Sequence, residues 1–127
     1  TARLARPAPV KEIDFRRQLV GPKGLATMLG WVHVGFRAAL TAHGWRTPVT
    51  GELGKGWPDL TLVRVRDRRL IFAELKRDGE HPSPDQLYVL GVLGVLADIA
   101  GHDERHRRIE CYVWRPADID AIAIVLR

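Results

Sequence analysis

The stretch that decides the fold is "GKGWPDLTLVRVRDRRLIFAELKR", from Gly54 to Arg77. Alternating apolar residues on both sides of a charged segment predict two strands joined by a tight turn. Asp59, Glu74 and Lys76 stand inside this apolar context. A core strand rarely carries charge unless that charge has a partner or a task. These three residues therefore mark the candidate site.

A two-residue turn at 67–68 predicts that Asp59 pairs with Lys76 and that Thr61 pairs with Glu74. Side chains alternate along a strand, so Asp59, Glu74 and Lys76 are expected on one face. Two close carboxylates repel each other unless a cation or a proton lies between them, and oxygen ligands suit Mg²⁺ or Mn²⁺. A structural ion pair between Lys76 and either acid is the alternative interpretation. The opposite face is expected to be apolar, with Leu60, Leu62, Ile71, Ala73 and Leu75.

The rest of the chain predicts one α/β domain. Residues 1–11 are basic and Pro-rich and are interpreted as a flexible tail, and residues 12–127 as the domain. A helix is expected from Glu12, and the motif "SPDQ" from Ser83 has the residues of a helix N-cap, an N1 proline and a capping box. The order helix, strand, strand, strand, helix, strand, helix predicts a mixed sheet of about four strands flanked by helices.

Composition favours a polyanionic partner, since 20 Lys and Arg outnumber 15 Asp and Glu and give a net charge of +5. The simplest such partner is nucleic acid. A single cysteine, Cys111, excludes an internal disulfide framework and fits a cytoplasmic location. A zinc site built from Cys111, His102 and His106 would lack a fourth ligand. No signal peptide or membrane-spanning apolar run is present, so a membrane is not expected as a partner.

Pro58-Asp59 followed by Glu74-Leu75-Lys76 is the PD-(D/E)xK signature of the restriction-endonuclease-like nucleases. The motifs "GWPD", "FAELK", "SPDQ" and "YVWRP" stand in this order along the chain. Together they closely resemble the VRR-NUC (virus-type replication-repair nuclease) family, over most of the chain from residue 12 onward. The resemblance implies a restriction-endonuclease-like αβββαβ core.

The resemblance also implies roles for individual residues. Asp59 resembles the metal-bridging aspartate of the family, and Glu74 resembles its second metal ligand. The backbone carbonyl of Leu75 would be a further ligand, and Lys76 would be the catalytic lysine.

The roles of three more polar residues remain open. Glu12 resembles the glutamate that supports the metal from the first helix of the family, and Asp14 is its rival. Gln86 matches a family glutamine near the site, and helix capping is its other interpretation. The Gly21–Gly24 segment and the long stretch Arg37–Lys55 depart from the family pattern.

The expected function is Mg²⁺- or Mn²⁺-dependent DNA cleavage, because stand-alone family members tend to be homodimers that cut branched DNA such as four-way junctions. The alternatives are a flap or restriction-like nuclease of the same fold, and a non-catalytic nucleic-acid-binding module. Four arginines cluster at the predicted hairpin tip, where they either contact phosphates or form a solvated turn: Arg64, Arg66, Arg68 and Arg69.

Overall fold

The computed structural model describes residues 10–34, 56–100 and 108–127, without the side chains of 98–100. Helices α1 and α2 are followed by strands β1, β2 and β3, helix α3, strand β4 and helix α4. Their bounds are α1 Glu12–Val20, α2 Leu25–Met28, β1 Val32–His33, β2 Leu60–Arg64, β3 Arg69–Leu75, α3 Pro84–Ala100, β4 Arg108–Trp114 and α4 Ile119–Leu126. The predicted α/β class is confirmed for these residues.

One four-stranded sheet has the order β1-β2-β3-β4. Strands β1, β2 and β3 pair antiparallel, and β4 pairs parallel to β3, with Leu75 opposite Trp114. A parallel pair needs a crossover connection, and the segment containing α3 supplies it. The predicted mixed sheet of four strands is therefore confirmed.

The predicted register of the β2–β3 hairpin is wrong by two residues. Leu60 pairs with Ala73 and Arg64 pairs with Arg69, so four residues make the connection. Val65–Asp67 form a 3-10 turn, and Arg68 follows in the left-handed conformation with φ of 54°. Because a shift of two residues restores the side-chain alternation, the predicted assignment of residues to the two faces survives.

The main core lies on the apolar face of β2 and β3. This face is at most 1% exposed and consists of Leu60, Leu62, Ile71, Ala73 and Leu75. Phe15 and Leu19 of α1 cover it together with Ile122 and Leu126 of α4, all at most 1% exposed. Fully burying one such side chain contributes roughly 1.5–3 kcal/mol, so this face fixes the sheet against α1 and α4.

Helix α3 packs against β4 and keeps an exposed apolar surface. Its exposed residues are Leu87, Tyr88, Val92, Val95 and Leu96. Gly91 and Gly94 also lie in this helix, and a Cβ added at either position meets no described atom within 4 Å, so no described element packs closely against them.

Several predicted features fall outside the described residues. They are residues 1–9 of the tail, the whole 37–55 stretch, and both histidines of the zinc interpretation. Of the remaining tail, Val10 packs against the core and Lys11 is the N-cap of α1. No helix in the described part of the chain has the length and apolar character needed to cross a membrane.

Candidate active site

Asp59 and Glu74 lie side by side where β2 begins and β3 ends. The ladder pairs Leu60 with Ala73, so one further step sets Asp59 across from Glu74. The predicted partner of Asp59 was Lys76, and the two-residue shift in register accounts for the difference. Asp59 Oδ2 accepts a hydrogen bond of 2.8 Å from the backbone N–H of Leu75, which fixes the aspartate beside the glutamate.

Glu74 is buried with incomplete hydrogen bonding. Its side chain is 1% exposed, and Oε1 accepts a hydrogen bond of 2.8 Å from Gln86 Nε2. The other oxygen, Oε2, is buried and has no hydrogen-bond partner among the described residues. Leaving a buried charged oxygen unsatisfied is costly, so such an atom beside a second carboxylate points to a proton or a cation as its partner.

The electrostatics of the pair follow from this burial. The pKa of Glu74 is raised to about 8, first by desolvation and then by Asp59, which repels the ionised form and can accept a proton from the neutral form. Lys76 opposes the shift and Glu12 adds to it. The metal-free pair therefore holds a proton at neutral pH, in the place where a cation would relieve the same repulsion.

Lys76 lies on the same side as the two acids, as predicted from the strand alternation. Its Nζ is 3.9 Å from Glu74 Oε1, and its backbone N–H donates to the Trp114 carbonyl at 3.0 Å. The long distance makes this a loose ion pair, so the ammonium group is not held tightly by the glutamate.

Gln86 makes contacts that correspond to both of its interpretations, helix capping and a place near the site. Ser83 N–H donates to Gln86 Oε1 at 2.8 Å and Gln86 N–H donates to Ser83 Oγ at 3.3 Å, which is a capping box at the start of α3. The same side chain donates to Glu74 through Nε2. The capping box therefore holds the amide in position to orient the glutamate.

The loop before Asp59 is held against the start of α3. Gly56 has φ of 79°, and a Cβ there would lie 2.6 Å from the carbonyl oxygen of Asp85. Trp57 packs edge-on against Phe72, with ring centroids 5.8 Å apart. This close approach needs glycine, and it anchors the segment that carries Asp59.

Glu12 lies at the start of α1, where its charge reaches Glu74. Even so, no group of three or more His, Cys, Asp or Glu side chains converges as a metal site in the described ranges. The structure thus brings Asp59 and Glu74 together but does not add Glu12 or Asp14 to them as a third carboxylate. The ligand role of Glu12 and that of the Leu75 carbonyl stay predictions.

His33 is a neighbour of the site that the sequence did not single out. It pairs with Leu62 in the sheet, near the start of β2, and the backbone of Asp59 lies close enough to act on its charge. Desolvation lowers the pKa of His33, Arg16 lowers it further, and the Asp59 backbone opposes both. The only signal in the sequence was a histidine within a short strand, because the pairing of β1 with β2 is decided by tertiary contacts.

The four arginines predicted to contact DNA at the hairpin tip differ in burial: two are buried and two are exposed. Arg64 and Arg69 are only 3% and 7% exposed, which corrects their assignment to a DNA-facing surface. Arg69 instead forms two hydrogen bonds of 2.9 Å with Glu110. Arg66 and Arg68 are exposed and remain the candidates for phosphate contacts.

Arg64 closes the carboxyl ends of two helices. Its guanidinium donates to the carbonyl oxygens of Leu29 at 3.0 Å, Leu126 at 2.8 Å and Arg127 at 2.8 Å. It also binds both oxygens of Asp67. These internal partners explain why its charge is buried, since carbonyl groups at helix ends need donors.

No protein-family model, curated protein or solved structure matches this chain. The contacts of Asp59, Glu74, Lys76 and Gln86 are therefore the basis on which a function is assigned.

Proposed function

We propose that the chain is a metal-dependent DNA endonuclease of the VRR-NUC type, with a restriction-endonuclease-like αβββαβ core. The observation that carries the proposal is the buried, unpartnered Oε2 of Glu74 beside Asp59 in the described part of the chain. The order of elements, the parallel β3–β4 pair and the sequence motifs support it.

The residues of the site fit a divalent cation. Asp59 and Glu74 would hold Mg²⁺ or Mn²⁺ together with the Leu75 carbonyl, since these ions prefer oxygen ligands. The chemistry such an ion supplies is neutralisation of charge at the scissile phosphate and activation of a water.

The other side chains act on the glutamate and on the substrate. Gln86 occupies Oε1 of Glu74, so Oε2 is the oxygen that would be left to hold a cation. Lys76, held loosely at 3.9 Å from Oε1, positions the attacking water and neutralises negative charge that develops on the phosphate.

The proposed substrate is branched DNA such as a four-way junction, cut by a homodimer. The net charge of +5 supports a polyanionic substrate. Two sites related by a twofold axis suit a symmetric junction, in which two strands are cut. Flap and restriction-like cleavage use the same site and differ only in the DNA form accepted.

A cleavage assay across duplex, flap, splayed-arm and four-way junction DNA tests the proposal, with Mg²⁺, Mn²⁺ or EDTA. Asp59→Asn is the informative variant, because the amide oxygen can still accept the Leu75 N–H while the ligand charge is lost. We expect this variant to lose both cleavage and metal binding measured by calorimetry. Lys76→Ala should cleave much more slowly yet bind metal at least as well. Cleavage by Asp59→Asn at the wild-type rate in Mn²⁺ would refute the assignment.

A non-catalytic nucleic-acid-binding module is the second candidate. The observation in its favour is that no third acidic, histidine or cysteine side chain joins Asp59 and Glu74 within the described residues. Such a module would bind DNA in the same experiment, without cleavage in either metal and without a heat of metal binding that depends on Asp59.

A further inference from the structure

A basic cavity lies between α1 and the edge strand β1. Its volume is about 330 Å³, and its lining residues are Ile13, Arg16, Arg17, Val20, Gly21 and His33. Among the described residues, no Asp or Glu lines it. A second cavity of about 360 Å³, lined by Glu12, Ile13 and Arg16, shares two of these residues and continues along α1.

The arginines of this cavity lack partners within the described residues. Arg16 and Arg17 form no ion pair there, whereas Arg64, Arg69 and Arg77 each bind a carboxylate. The charge of Arg16 instead acts on His33, another basic group. Glu12 lines only the neighbouring cavity, so the basic side chains of this one favour a bound anion.

The cavity is tied to the site through β1. His33 pairs with Leu62, and Val34 N–H donates to the Thr61 carbonyl at 2.8 Å, so β1 runs along β2 toward Asp59. Three residues separate Leu62 from Asp59, which is about 10 Å at roughly 3.3 Å per residue. A DNA strand rises about 3.4 Å per nucleotide, so this distance spans roughly three nucleotides.

We propose that this cavity binds a backbone phosphate of the DNA strand, one to three nucleotides from the phosphate at the Asp59–Glu74 pair. Arg16 is the principal phosphate ligand and Arg17 assists it. His33 of β1 forms the wall of the cavity opposite α1. The proposal rests on the proposed function for the identity of the anion, and it adds a second point of strand contact that fixes where the cut falls.

The test measures binding of fluorescent duplex and junction DNA by anisotropy in EDTA, over a series of KCl concentrations. Arg16→Gln removes one charge from the exposed face of α1, and Lys23→Gln removes one charge outside this cavity as the matched control. We expect Arg16→Gln to weaken binding and to reduce the slope of log affinity against log salt by about 0.9, the value for one phosphate. Lys23→Gln should leave the slope nearer to that of the wild type. Thermal unfolding by circular dichroism verifies that both variants fold.

A scan with single uncharged methylphosphonates then identifies the phosphate. A methylphosphonate at one position within three nucleotides of the cut should weaken DNA binding by the wild type and by Lys23→Gln. The same methylphosphonate should cause no further loss of affinity in Arg16→Gln. Equal effects in all three proteins at every position would overturn the proposal, even if the wild type cleaves DNA. The protein could also cleave with neither metal while one methylphosphonate still adds no loss to Arg16→Gln. That result would support phosphate binding by the cavity and refute the nuclease assignment.

Discussion

At the scale of single residues, the most informative atom is Oε2 of Glu74. A carboxylate that is 1% exposed and keeps one oxygen unpaired within the described residues adds nothing to stability in its ionised form. Its environment favours either a proton or a cation, and Asp59 strengthens both preferences. This arrangement is typical of a site organised for binding a ligand, since an ion pair built for stability would satisfy both oxygens.

The raised pKa of Glu74 predicts how the stability of the metal-free protein depends on pH. The folded chain retains a proton up to a pKa of about 8, whereas an unfolded glutamate releases it near 4.5. The contribution of this group to stability is therefore complete below pH 4.5 and is lost as the pH rises toward about 8. Urea unfolding in EDTA between pH 5 and 8.5 should show this decline, and Glu74→Gln should flatten it.

Glu110 provides a matched control, because its pKa is shifted in the opposite direction to that of Glu74. Burial alone would raise its pKa, but hydrogen bonds from Arg69 and Tyr112 and the nearby positive charge hold the pKa below its ordinary value. Glu110→Gln should therefore lose stability at neutral pH and keep the decline caused by Glu74. A wild-type stability that rises steadily from pH 5 to 8 in EDTA would contradict the assignment for Glu74.

At the scale of elements, the β2–β3 hairpin separates its arginines by function. Arg64 stacks over the Trp31 ring, with its guanidinium carbon 4.5 Å from the ring centroid, and holds the last carbonyl groups of α2 and α4. Arg66, two residues later in the 3-10 turn, is exposed. In a continuous strand the two side chains would share a face, so it is the 3-10 turn after Arg64 that gives one arginine a structural role and leaves the other to solvent.

Arg64→Ala and Arg66→Ala make a matched pair for this division. The first substitution removes the Arg64 donor from the carbonyl groups of Leu29 and Arg127, while the Leu126 carbonyl keeps its hydrogen bond from Trp31. Each unsatisfied buried group costs about 1–3 kcal/mol. We expect a loss of at least about 2 kcal/mol for Arg64→Ala and a change within about 0.5 kcal/mol for Arg66→Ala, measured by urea unfolding. Similar stabilities for the two variants would show that the internal hydrogen bonds of Arg64 are energetically unimportant.

Substitution by alanine should have opposite effects on stability at Gly56 and at Gly91. An added methyl at Gly56 would lie 2.6 Å from the Asp85 carbonyl oxygen in a backbone with φ of 79°. We expect Gly56→Ala to cost about 1–3 kcal/mol and to displace the segment that carries Asp59. Gly91→Ala, in helix α3 with no described atom within 4 Å, should stabilise by about 0.5–1 kcal/mol. Thermal unfolding distinguishes the two, and an equal shift in both would refute the close contact at Gly56.

At the scale of the whole molecule, the proposed DNA contacts lie at two ends of the sheet. Asp59 and Glu74 are at the end where β3 finishes, and Arg66 and Arg68 are in the connection where β3 begins. The seven residues of β3 separate them by roughly 20 Å at about 3.3 Å per residue. A side chain at the tip therefore cannot reach the scissile phosphate but can hold a second arm of a branched DNA.

Replacing Arg66 and Arg68 by Ala should weaken DNA binding without slowing the chemical step. We expect the salt slope to fall by about 0.9 for each lost phosphate contact, with a larger loss for junctions than for linear duplex. The single-turnover rate at saturating DNA should stay close to that of the wild type, because the tip makes no transition-state contact. An unchanged slope with every DNA form would identify the tip as a solvated turn.

The sequence predicted the elements well because each has a local cause. The capping box at Ser83 and Gln86 defines the start of α3, and the alternation along β2 and β3 separates an apolar face from the face that carries Asp59 and Glu74. The register was missed because the length of the connection depends on Arg68 adopting φ of 54° and on the bonds between Arg64 and Asp67. A short charged segment does not encode that choice.

The sequence by itself determined the α/β class, the two faces of the hairpin and the convergence of Asp59, Glu74 and Lys76, since period-two alternation is a property of the covalent chain. Only the tertiary structure decided that Arg64 and Arg69 are internal, that Gln86 reaches Glu74 and that His33 lies beside Asp59. These contacts join residues far apart in the chain, or depend on which helix covers which face. Burial and long-range pairing are set by the packing of the whole molecule, and local sequence does not specify them.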